Sequence, residues 1–166
     1  MSKPDLSSYG GRLRDLGYAG QIVDTNPVTI QSLTNEAAVA IDYGVAVARG
    51  AADDTCKAPT ADGNLLIGIS GRHAIRPADS SNNVTYAQRD SVPVVREGYV
   101  YATAYENATR GDVAISVTAQ NGKVGSTTGG AAGAGRIALD GTSGKPKVTW
   151  ETTTTAGQIG VLRVVS

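Results

Sequence analysis

Phenylalanine is absent from this 166-residue chain, tryptophan occurs once, and the remaining aromatics are seven tyrosines. A core must therefore be built from Val, Ile, Leu and Ala. Full burial of a large aliphatic side chain brings roughly 1.5–3 kcal/mol and an alanine much less. An isolated protomer is then modestly stable, and burial against a partner is favoured. Cysteine and histidine also occur once each. Cys56 can form no internal disulfide and no multi-cysteine metal site, and reads as a packing or surface residue. Fifteen basic and fifteen acidic side chains cancel, which argues against the basic footprint of a nucleic-acid binder. No run approaches the roughly 18 apolar residues of a membrane span, and the opening Met-Ser-Lys-Pro-Asp-Leu-Ser-Ser lacks the apolar region of a signal peptide. The expectation is a protein made and kept in a cytosol-like space, with neither membrane nor nucleic acid as partner.

The length suits one domain burying about 68–70% of the surface its unfolded chain exposes. Residues 1–35 mix Pro, Gly, Ser and charge with scattered apolar groups, and Gly10, Gly11, Gly17 and Gly20 discourage a long helix. This segment reads as an extended N-terminal arm. Leu13, Leu16, Tyr18, Ile22 and Val23 give it more apolar surface than a solvated tail carries, so the arm is expected to bind a surface.

Residues 36–166 read as a β domain, a β-sandwich or small β-barrel, from short β-prone runs separated by turn residues. Val39–Ile41 and Val45–Val47 flank Asp42-Tyr43-Gly44, where Gly44 can take a positive φ. Leu65–Ile69 is a continuous apolar run of the kind buried on both faces. Val84–Tyr86 is a short strand candidate. Val92–Val95 and Tyr99–Ala104 are expected to form a hairpin through Arg96-Glu97-Gly98, with Pro93 at an edge or strand start because it cannot donate to a ladder. Val113–Val117 alternates as a half-buried strand would. The Gly/Ala-rich tract at about 120–135 predicts a long mobile surface loop. Arg136–Leu139, Lys147–Thr153 and Ile159–Val164 complete the strands, the last offering Ile159, Val161 and Val164 for packing.

No chemical motif survives its context. Gly133-Ala134-Gly135-Arg136-Ile137-Ala138 matches a dinucleotide fingerprint in letters, but no apolar strand precedes it, and Gly141 and Gly144 interrupt the stretch where its helix would run. Gly141-Thr142-Ser143-Gly144-Lys145-Pro146 lacks the spacer of a P-loop, and Pro146 replaces its metal-binding hydroxyl. A Ser70/His73/Asp79 hydrolase set can be written down, but no spacing implies its hydrogen-bonded geometry. Asp53-Asp54, Asp15 and Asp24 lack the ligand alternation of a calcium loop. No catalytic residue, metal site or cofactor is expected, and the protein is read as no enzyme.

Five segments carry a family resemblance, in order along the chain. They are Ala19-Gly20-Gln21-Ile22-Val23-Asp24, Ala38 to Arg49 (Ala-Val-Ala-Ile-Asp-Tyr-Gly-Val-Ala-Val-Ala-Arg), Leu66-Ile67-Gly68-Ile69, Val92 to Val100 and Ala108 to Ile115. The chain resembles the structural cement, or head-decoration, proteins of tailed-bacteriophage capsids. That resemblance implies a virion protein on the capsid exterior, made in the bacterial host cytoplasm. It also implies a small oligomer, dimer or trimer, bound to the major capsid protein at junctions between subunits and holding them against internal DNA pressure. The alternative is a phage tail or fibre-associated β module binding a receptor or glycan, which calls for clustered exposed aromatics; the tyrosines are scattered along the sequence.

Overall fold

The computed structural model describes residues 17–23, 27–72 and 85–166. Twelve strands lie within them: β1 (Thr29–Asn35), β2 (Ile41–Asp42), β3 (Ala46–Arg49), β4 (Thr55–Lys57), β5 (Leu66–Ser70), β6 (Thr85–Tyr86), β7 (Ser91–Thr103), β8 (Ala114–Val117), β9 (Lys123–Ser126), β10 (Arg136–Ala138), β11 (Lys147–Trp150) and β12 (Ile159–Val165). One 3-10 turn, Thr118–Gln120, precedes β9.

Five of these strands close on themselves. β1 pairs with β4, β4 with β3, β3 with β5, β5 with β7, and β7 with β1, so the ring is a small barrel. Each wall strand sends side chains inward: Leu33, Val45 and Val47, Cys56, Ile67, and Val92 with Val94 form one buried cluster. Ile41, Tyr43 and Tyr86 join it from the β2–β6 pair. Asn35, fully buried, donates through Nδ2 to the carbonyls of Val39 (3.0 Å) and Tyr86 (3.1 Å), fixing that pair to β1. A buried amide is stable only when satisfied in this way.

The second half is built on the far end of β7. Residues 98–103 of β7 pair with β12, and β12 pairs with β11. β11 then bridges Val113 beside β8, β8 pairs with β9, and Val124 of β9 bridges back to Ala104. A second, looser closure results, with β10 on the outer edge of β8. Between the two halves lies the larger cluster. Ala46, Ala48, Leu66, Ile69 and Val95 come from the outer wall of the barrel, and Ala102, Ala104, Leu139, Val148, Trp150 and Leu162 come from the second half. Alanines on the wall leave room for Trp150, whose indole Nε1 donates to the carbonyl of Gly125 (2.9 Å). The single tryptophan is thus both filling and satisfied.

Several expectations hold and others change. Leu66–Ser70 is buried at every position because barrel interior and second half cover its two faces. Gly44 has φ 68° in the turn before β3. The expected hairpin at Arg96-Glu97-Gly98 is instead one continuous 13-residue strand. Gly98, with φ 124°, bends the strand from the barrel into the second half, so its conformational freedom serves a bend and not a reversal. Pro93 lies near the start of β7, and the β5 ladder begins only at Val94. β8 is buried at all four positions and not on one face alone, with β9 and β10 paired to its two edges. In β12 the inward residues are Gly160, Leu162 and Val164, while Ile159 and Val161 point outward.

Residues 120–135, expected as one loop, contain β9 with Val124, Gly125 and Ser126 buried. The segment from Thr127 to Gly135 is held by Arg136. Its guanidinium forms a two-pronged ion pair with Glu106 and donates to the carbonyls of Gly130 (3.0 Å) and Ala131 (3.1 Å). Glu106 also accepts from the Ser126 amide (3.1 Å), and Asp62 accepts from the Gly135 amide (2.8 Å). Finally, Thr29–Asn35, within the segment read as an arm, is the barrel strand β1.

Candidate interaction surface

Of the residues singled out for chemistry, Ser70 and Cys56 lie among the described residues in structural settings. Ser70 is fully buried, and its hydroxyl donates to the Asp42 carbonyl (2.7 Å) while accepting from the Val45 amide (3.0 Å). It holds the turn between β2 and β3. His73 and Asp79 lie outside the described residues, as do Leu13 and Leu16. Cys56 is fully buried in the barrel; burial, with the negative charge of Glu36 adding to it, pushes its thiol up to about 12. No group of three or more His, Cys, Asp or Glu side chains among the described residues could hold a metal ion. None of their helices is long and apolar enough to cross a membrane. A surface cavity of about 310 Å³ lies between Asp42, Thr103, Tyr105 and Lys123.

The three described arm residues lie along β7. Residues 17–23 add to its free edge: Gly20 N–H donates to the Tyr101 carbonyl (2.7 Å), Tyr101 N–H to Gln21 (2.8 Å), and Val23 N–H to Tyr99 (2.9 Å). Ile22 sits opposite Val100 and packs on the large core cluster. Because side chains alternate along extended chain, Gln21 and Val23 fall on the other face, beside Tyr101 and Tyr99. Tyr18 is 57% exposed, and the Arg72 guanidinium lies over its ring at 4.8 Å and over that of Tyr43 at 5.8 Å.

Extending those rows across the sheet defines a face. Tyr101 is opposite Val161, and Tyr99 is opposite Arg163, which is opposite Thr149 on β11. Ile159 and Val165 close the two ends of β12 and are 36% and 41% exposed. The Arg163 guanidinium lies over the Tyr99 ring at 6.0 Å. The Tyr101 ring lies over Gly17, where a Cβ would come within 2.7 Å of it. Tyr99 and Tyr101, two apart on β7, share this face, and strand pairing sets Val161 and Arg163 beside them. A rigid sheet face of Tyr, Val, Ile and Arg is the composition of a protein–protein contact, since Tyr and Arg bury large area at low rotamer cost. The signal available in sequence was the outward set of β12, Ile159, Val161, Arg163 and Val165, readable only once Leu162 is placed inward.

A five-stranded β-barrel with further sheets, carrying an outward row of Tyr, Val, Ile and Arg, is an architecture suited to binding another protein. The sequence from residue 6 to residue 165 matches the model of the family described as "Structural cement protein (E217 gp24/Pam3 gp6)", and the chain belongs to that family of phage structural cement proteins. Its fold is similar to that of a chain in a structure titled "The capsid of Myoviridae Phage XM1", with a TM-score of 0.66, 13% identity and 88% of each chain covered. Among curated proteins, none matches the sequence.

Proposed function

We propose that this protein binds the exterior of a tailed-phage head as a small oligomer, at junctions between major capsid subunits, and stabilises the shell without catalysing a reaction. The observation that carries this reading is the family match over nearly the whole chain. The outward row of Tyr99, Tyr101, Val161 and Arg163 suits it. Binding in many copies stabilises a shell by mass action, since each copy favours the assembled over the dissociated state. Synthesis in the host cytoplasm, with neither membrane nor nucleic acid as partner, belongs to the same proposal, and the cancelling charges support the part that concerns nucleic acid.

The N-terminal segment is the proposed capsid-binding arm, with Leu13, Leu16 and Tyr18 as its contact residues. Gly20, Gln21 and Val23 tie it to β7 through backbone bonds to Tyr101 and Tyr99, and Ile22 packs on the core. The test is to mix purified protein with cognate undecorated heads and image them by negative stain, alongside a variant lacking residues 1–16. Full-length protein should decorate the heads and raise their resistance to heat or chelator. The truncated protein should melt at the same temperature and fail to decorate. Decoration of similar affinity by the truncated protein would move the binding surface to the β domain. Failure of the full-length protein to bind any head would overturn the cement reading.

A further inference from the structure

We propose that Asn121-Gly122 is a spontaneous deamidation site gated by the fold, closed while the barrel and the second half stay packed and open when they part. This goes beyond the cement reading and does not depend on it. The pair is the only Asn-Gly in the sequence. An asparagine before glycine is the most susceptible kind, because glycine has no side chain to hinder attack by its own nitrogen. In that attack the Gly122 backbone nitrogen bonds to the side-chain carbonyl carbon of Asn121 and closes a five-membered succinimide. The carbon–nitrogen bond of the side-chain amide breaks, and the proton shed by Gly122 leaves with the amide nitrogen as ammonia. Water then opens either carbonyl of the ring. One product is aspartate, and the other is isoaspartate, with the main chain rerouted through the side chain.

Asn121 is exposed, so its carboxamide is open to water. Gly122 is buried, and its N–H, the attacking group, is donated to the Val117 carbonyl (3.1 Å). Its own carbonyl accepts from the amide of Ala46 on the barrel strand β3 (2.8 Å). Asn121 sits at φ 53° and ψ 38°, with its N–H donated to the Thr118 carbonyl. Closing the ring requires that ψ to change, which swings the Gly122 peptide away from Val117 and Ala46. The junction has no slack for this movement, because even a Cβ on Gly122 would come within 2.5 Å of the Ala46 carbonyl oxygen and 2.8 Å of the Pro59 ring. Ring closure therefore waits on a local opening. Aspartate at this position keeps the same backbone, since Asp like Asn tolerates the left-handed region. Isoaspartate adds a carbon to the chain between β8 and β9 and displaces the Gly122 carbonyl from Ala46, so a copy that has opened and reacted cannot re-form the junction.

The test incubates the full-length protein in mildly alkaline buffer, native and in guanidinium chloride. The peptide carrying residues 121 and 122 is then followed by mass spectrometry for amide-to-acid conversion and for isoaspartate. Conversion should be at least about tenfold slower in the native protein. The Gly122 and Ala46 amides should exchange with deuterium at one common slow rate, since the same opening frees both. Asn121→Asp, with the new charge on an unaltered chain, should melt with the wild type. Isoaspartyl protein, purified and returned to native buffer, should melt lower than both. Equal conversion in the two conditions, fast exchange at Gly122, or isoaspartyl protein that melts with Asn121→Asp would each overturn the inference.

Discussion

Replacing Arg136 by alanine should remove the clamp that orders residues 127–135. The guanidinium makes a two-pronged pair with Glu106 and reaches the carbonyls of Gly130 and Ala131, and the two charged side chains are only 22% and 18% exposed. An exposed pair contributes up to about 1 kcal/mol, whereas removing one partner of a fully buried pair costs about 3–5 kcal/mol. Four-fifths burial places Arg136→Ala between these, at about 2–3 kcal/mol, because Glu106 keeps the Ser126 amide (3.1 Å). In a chain of this length that corresponds to a fall of roughly 5–10 °C in melting temperature. Trp150 is a natural probe, since its indole bonds to Gly125 next to Ser126; urea unfolding followed by its fluorescence measures the loss. Arg136→Lys keeps the charge and loses the fork, so it should recover less than half of the difference. Limited proteolysis should place the new cleavages between residues 127 and 135. A cost under about 0.5 kcal/mol, with the proteolysis pattern unchanged, would refute the clamp.

Gly68→Ala should destabilise by about 1–3 kcal/mol in chemical denaturation, because the added methyl would press on the Val95 carbonyl, a backbone atom between two paired strands; a neutral substitution would contradict the close approach. Cys56 should resist thiol reagents at pH 8 in the native state and react fully in denaturant, as burial demands; rapid native labelling would show that the barrel opens. Glu36 is held below its ordinary carboxyl value of 4.5 by the Ala51 amide and the Thr55 hydroxyl, with Lys57 assisting against burial. A depressed folded pKa means stability present above the unfolded value and lost as pH falls through the folded one. The melting-temperature gap between wild type and Glu36→Ala should therefore be full at pH 7 and close below pH 4.5, and a gap that widens in acid would reverse the sign.

Much of the fold was legible because a strand buried on both faces announces itself. Leu65–Ile69 contains too many adjacent apolar residues to be anything half-exposed, and it became the central strand β5. The misreadings share one cause, which is that a glycine states what the backbone is allowed to do and not what its neighbours make it do. Gly98 permits a hairpin and a strand bend equally. The outcome was decided by β12, more than 60 residues away, which pairs with residues 98–103 and keeps the chain extended. Similarly, the tract after Gln120 is poor in large apolar groups, and its order comes from Glu106 and Arg136, two charges that no local pattern connects.

The contact face was hidden for a related reason. Val23, Tyr99 and Tyr101 were visible as residues, and two of the three already lay in segments carrying the family resemblance. Alternation along one strand puts Tyr99 and Tyr101 on one face, but nothing local adds Val23, Arg163 or Thr149 to it. Their juxtaposition needs three pairings at once: residues 20–23 on β7, β7 on β12, and β12 on β11. Each pairing also fixes which alternate residues face the core, so Ile22, Val100, Leu162 and Trp150 turn inward together. Val23, Tyr99, Arg163 and Thr149 are left outward in a single row. The same alternation that builds the core thus builds the face, and a one-residue slip in any of the three pairings would disturb both. The face is carried on strands whose opposite side chains are locked in the core, so deforming it means disturbing close packing around Trp150.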